Sequence, residues 1–118
     1  MKTFKIAAAQ GEVNIRRVET VPEGLTPVVP EKGLLIVGHS ESGHHHGFRA
    51  GPGVAVLERT RDVPAGMRIL YAILENPTAL IQDASAPHEP IMLGAGVFEL
   101  RIAREYDPFA EQARQVAD

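Results

Sequence analysis

Apolar and polar residues alternate with period two in two stretches of this chain. The pattern is clearest where Phe98, Leu100 and Ile102 alternate with Glu99, Arg101 and Ala103, as in a strand with one buried face. Val13 and Ile15 alternate with Asn14 and Arg16 in the same way, inside a strand expected over 12–20. Segments 3–9, 54–58, 68–75 and 78–82, with Ile91-Met92-Leu93, supply further strands, and the unbroken apolar run Leu34 to Val37 reads as a buried one. Between them, the Pro- and Gly-bearing stretch 22–33, Gly51-Pro52-Gly53, Val63-Pro64-Ala65-Gly66, Asn76-Pro77 and the polar stretch 83–90 read as turns and loops. Only the tail departs from this rhythm. Pro108 to Val116 suits a short helix, with Asp107 as N-cap and Pro108 as its first residue.

Eight or so short strands, with no alternation of strands and long helices, predict an all-β, mostly antiparallel fold. The expectation is one domain over 1–118, a small barrel or sandwich with a short C-terminal helix. The chain has 118 residues, 44% of them hydrophobic but only 5% aromatic and none Trp, so aliphatic side chains must fill the core. Formal charge is −3 and no basic stripe appears, which argues against a nucleic-acid partner. Cysteine is absent, so disulfides and thiolate ligands are excluded and any metal must be held by nitrogen and oxygen. No apolar run approaches the ~20 residues of a membrane span. The start, Met1 to Ile6, lacks a long apolar signal region. A cytoplasmic protein without membrane contact is expected, and exposed strand edges on a small β domain favour a homo-oligomer.

The chemistry concentrates in histidine. His39, His44, His45 and His46 share one Gly-rich segment and His88 lies in another. In an extended segment, His44 and His46 point to one face with Cα atoms roughly 6.6 Å apart, and His45 points to the other. Two such imidazoles can converge on one ion, and His88 can close the site from a neighbouring strand. Three His ligands with an open position is a catalytic type of zinc geometry. Zinc is the first candidate, and manganese, iron or nickel also suit imidazole ligands. Glu41, three residues before His44, can act as a general base, an imidazole partner or a further ligand. Ser40 and Ser42 would need a base and an oxyanion hole to act as nucleophiles. Arg104-Glu105-Tyr106 reads as a surface ion pair beside an anchoring tyrosine.

Four segments together resemble a known pattern. Ser42-Gly43-His44-His45-His46, His88-Glu89-Pro90-Ile91, Gly96-Val97-Phe98-Glu99-Leu100 and Arg104-Glu105-Tyr106-Asp107-Pro108 are similar to a small uncharacterised family of bacterial genomes and bacteriophages. Its members follow "GE-x-TGHxH … HxEHxPI-x-L-x-x-G-x-Y-x-V … QREY". The resemblance implies that His44, His46 and His88 occupy positions the family also fills with His. This chain departs at Ser40, where the pattern has Glu, at Ser85 and Pro87, where it has His and Glu, and at Ala103 and Phe98, where it has Gln and Tyr. The arrangement of His-x-His and a later His also looks like cupins, by analogy. Two functions follow. One is a metal-binding β-barrel acting as a metal-dependent hydrolase or hydratase on a small-molecule substrate. The other is a non-enzymatic, oligomeric structural or accessory protein of phage type, in which the histidines only shape a loop.

Overall fold

The computed structural model describes residues 3–10, 12–38, 45–83 and 90–103, with backbone alone at Asp83 and Ala103. Along the chain these form β1 (Thr3–Phe4), β2 (Ala7–Gln10), β3 (Val13–Val18), β4 (Thr26–Pro27), β5 (Leu34–Gly38), β6 (His45–Arg49), β7 (Val54–Arg59), β8 (Met67–Leu74), β9 (Thr78–Asp83), β10 (Ile91–Leu93) and β11 (Gly96–Ala103). The described chain is therefore all-β. The expected helix over 108–116, and Arg104-Glu105-Tyr106, lie outside the described residues.

The strands make two sheets rather than a closed barrel. A five-stranded sheet runs β1-β10-β9-β6-β5 and a six-stranded sheet runs β2-β3-β11-β8-β7-β4. The pairing is antiparallel except between β1 and β10. The barrel expectation is corrected because, among the described residues, no ladder joins the two sheets, each of which keeps two edges. Periodicity alone identifies inward-facing residues and is silent on whether a sheet closes.

Strand alternation assembles one shared core. Ile15 on β3, Leu100 on β11 and Leu70 on β8 lie in register across the six-stranded sheet. They meet Leu35, Phe48, Leu80 and Leu93 from the five-stranded sheet. Phe48, Leu70, Leu80, Leu93, Phe98 and Leu100 are fully buried. Each such side chain contributes about 1.5–3 kcal/mol by leaving water.

Arg17 closes one end of this core. Its guanidinium stands 4.9 Å from the Phe98 ring centroid and Nη2 donates to the Ala95 carbonyl at 2.8 Å. Gly96 is required beside it. Its φ is +138°, a conformation that L side chains rarely adopt, and a Cβ there would also meet the Arg17 guanidinium.

Three local expectations change. Segment 3–9 splits at Lys5-Ile6, because Arg17 draws in both carbonyls, through its side chain at Lys5 and its backbone N–H at Ile6. The strand expected over 12–20 stops at Val18, and the loop 22–33 contributes the short β4, paired with β7. Strand β6 is the addition that matters most here, because it carries His45 and His46.

Candidate functional site

Phe48 faces the core, so His46, two residues earlier on β6, faces it too. His46 is only 2% exposed. A buried imidazole needs a partner, and Gln10 supplies it from the last position of β2 in the opposite sheet. Gln10 shares the inward parity of Ala8, which packs on the core. The Gln10 Nε2 donates to the Leu80 carbonyl at 3.1 Å, and Gln10 Oε1 lies 2.9 Å from His46 Nδ1.

This relay fixes a protonation pattern. A backbone carbonyl only accepts, so the NH2 end of the Gln10 amide faces Leu80 and its oxygen faces His46. The oxygen in turn only accepts, so His46 Nδ1 carries a proton. In the neutral ring Nε2 is then the basic nitrogen, the state in which an imidazole ligates a cation or takes a proton.

A β-bulge lies directly beside His46. Ile36 pairs with Gly47 and Gly38 with His46, so Val37 is an extra residue on β5. Such a residue leaves the ladder. The Val37 carbonyl is taken up from the other sheet by Arg68 Nη1 at 3.1 Å. Arg68 is itself clamped by Glu58, through Nε to Oε2 at 3.0 Å and Nη2 to Oε1 at 2.8 Å. Arg68 and Glu58 share the inward parity of Leu70 and Val56. Gln10, His46, Glu58 and Arg68 thus form a polar end to the sandwich, opposite in character to its apolar middle.

The register shows where the chain leaves this end. Gln10, Val13, Ile102 and Arg68 lie in one row across the six-stranded sheet. In the other sheet, His45 pairs with Asp83 and His46 with Gln82. Strands β5, β9 and β11 therefore end beside the polar end, at Gly38, Asp83 and Ala103. The intervening segments 39–44 and 84–89 hold His39, Glu41, His44 and His88, and these lie outside the described residues. His45 sits on the opposite face of β6 from His46, as strand alternation requires. Among the described residues no three His, Asp or Glu side chains converge on a metal position. Of the proposed His44, His46 and His88 set, His46 alone is placed.

Sequence reasoning missed Gln10 and the Arg68–Glu58 pair. A signal for Gln10 existed, since it has the inward parity of Ala8 in an apolar strand, but the strand was expected to stop one residue short of it. Arg68 and Glu58 stand at the ends of the expected strands 68–75 and 54–58, with nothing in the sequence to pair them. Nothing in the sequence marks the bulge at Val37 that Arg68 serves. Among the described residues no helix is long and apolar enough to cross a membrane.

No curated protein and no solved structure matches the chain, so neither lends it an activity or a fold parent. One family model does match, over residues 9–103, from within β2 to the last residue of β11. The chain belongs to that family, described as a domain of unknown function, DUF8820.

Proposed function

We propose that this domain binds a divalent metal at the polar end of the sandwich, with His46 Nε2 as the anchoring ligand. The observation that carries the reading is the Leu80–Gln10–His46 relay. A hydrogen bond that holds the distal nitrogen of a ligating imidazole is the usual companion of a metal-bound histidine. The register supports His44 and His88 as further ligands. His44 directly precedes His45, whose β9 partner Asp83 opens the segment holding His88. Zinc suits such a nitrogen set best, with manganese, iron or nickel as alternatives. Glu41 would hold or pass a proton there, and hydrolysis or hydration of a small molecule is the reaction class that arrangement serves. Binding requires neutral imidazoles, so affinity falls as pH drops below about 6.

Nitrogen-15 NMR of the histidine rings tests the reading. The metal-free protein should show the Nδ1–H tautomer at His46, and one equivalent of zinc should shift its Nε2 resonance. A ring protonated at Nε2, or an Nε2 signal indifferent to zinc, overturns it.

A second reading has its own support. On the outer side of the five-stranded sheet lie Leu34, Ile36, Ala79, Ile81 and Met92, with Gly47 beneath Leu34 and with His45 and Arg49 as polar neighbours. That face is more apolar than a solvated sheet requires. It suits a non-enzymatic module that assembles with copies of itself.

A further inference from the structure

The outer face of the six-stranded sheet carries a second polar cluster, unrelated to the histidines. Arg16, Glu99 and Tyr71 lie in one row across β3, β11 and β8, and Asn14, Arg101 and Ile69 in the next. Glu99 is only 5% exposed and Tyr71 only 4%. Three donors converge on this one carboxylate. Arg16 Nε reaches Oε1 at 3.2 Å, Arg101 Nε reaches the same oxygen at 2.7 Å, and Tyr71 Oη donates to Oε2 at 2.9 Å. Burial alone would raise the Glu99 pKa, but the hydrogen bonds from Arg101, Tyr71 and Arg16 outweigh it and hold the carboxyl below its ordinary value.

The geometry points to an oxyanion-binding site formed by Arg16 and Arg101 over a cavity of about 90 Å³ that Asn14, Ile15 and Glu99 also line. Both guanidiniums bond the same oxygen through Nε. Their Nε atoms are therefore no farther apart than those two bond lengths laid end to end. Each keeps its pair of terminal NH2 groups, the fork that recognises carboxylates and phosphates. The two side chains are 63% and 46% exposed while the Glu99 side chain beneath them is 6% exposed, so the positive groups stand outermost.

Charge segregation supports the same conclusion. Strand alternation places Arg16, Arg59 and Arg101 on this face, against Glu99 as the only acid among the described strand residues of that face. The chain as a whole carries −3. Besides its part in folding, the buried carboxylate holds two arginines side by side. A phosphate dianion complements the excess positive charge better than a monoanionic carboxylate does.

The test is a titration of the full chain with inorganic phosphate, following the arginine Nε–Hε resonances by NMR, with sodium chloride at matched ionic strength and acetate as parallel arms. Saturable shifts at Arg16 and Arg101 with phosphate, but not with chloride, are expected. Arg16→Lys and Arg101→Lys, which keep the charge but lose the fork, should each weaken binding about tenfold or more. Circular dichroism confirms that the variants fold. A linear response, an equal response to chloride, or phosphate binding unchanged in both Lys variants overturns the site. Acetate binding as tight as phosphate overturns the choice of a dianion. The site lies on the sheet face turned away from His46, so neither outcome bears on the metal reading.

Discussion

Gln10 uses both ends of its amide, one on Leu80 and the other on His46, and the two bonds depend on each other. Shortening it to Ala removes the group that keeps the proton on His46 Nδ1, while His46 stays in place on β6. Gln10→Ala should therefore keep the fold and lower zinc affinity by about 10–100-fold, the usual effect of losing a ligand's hydrogen-bond partner. Competition with a chromophoric chelator measures this directly, and unchanged affinity would detach Gln10 from any metal role. Glu99 makes a second prediction at this scale. Its carboxyl titrates lower in the folded chain than its ordinary value of 4.5, so it favours folding while ionised. That contribution is complete above the ordinary value and is lost as pH falls through the lowered one. Urea midpoints of the parent and of Glu99→Gln should differ at neutral pH and draw together as pH falls below 4.5. A gap constant down to pH 3 would remove the ion pairs from the folding balance.

Strand β6 is the element on which most depends, and the residue pattern conceals it as it does the short β4. Its sequence, His45-His46-Gly47-Phe48-Arg49, offers one strong apolar residue and a glycine. The glycine is explained by close approach. A Cβ at Gly47 would lie 2.6 Å from the Leu35 carbonyl oxygen and 2.9 Å from Leu34 Cγ. Backbone cannot yield as a side chain can, so Gly47→Ala should destabilise the β5–β6 hairpin by about 1–3 kcal/mol. Gly51→Ala, where a Cβ meets open space, should cost far less. Equal midpoints for the two variants in chemical denaturation would contradict this. The legible elements were those whose own side chains record burial. β3, β5, β7, β8, β9, β10 and β11 were readable because Val13, Ile15, Leu100 and their kind alternate or run together. β6 was not, because its burial comes from neighbours, with β5 on one side and β9 on the other. The burial of Glu99 was hidden for a related reason. Alternation puts it on the outer face, but Arg16 and Tyr71, which cover it together with Arg101 of its own strand, come from β3 and β8.

At the scale of the whole molecule, the sandwich has two ends of different character. Arg17 closes one over Phe98, and Gln10, His46, Glu58 and Arg68 make the other polar. Strands β5, β9 and β11 end beside that polar end, at Gly38, Asp83 and Ala103. Spacing gave the candidates His44, His46 and His88, but could not reveal that β6 and β9 are neighbours, because that pairing joins residues distant in sequence. The central claim is that imidazoles from both connecting segments reach one ion together with His46. Zinc-edge X-ray absorption, on protein purified without a metal-affinity column and loaded with one equivalent of zinc, counts those imidazoles. Three are expected in the parent, with one fewer in His46→Ala and one fewer in His88→Ala. A shell of oxygen alone, or a count indifferent to both substitutions, would contradict it.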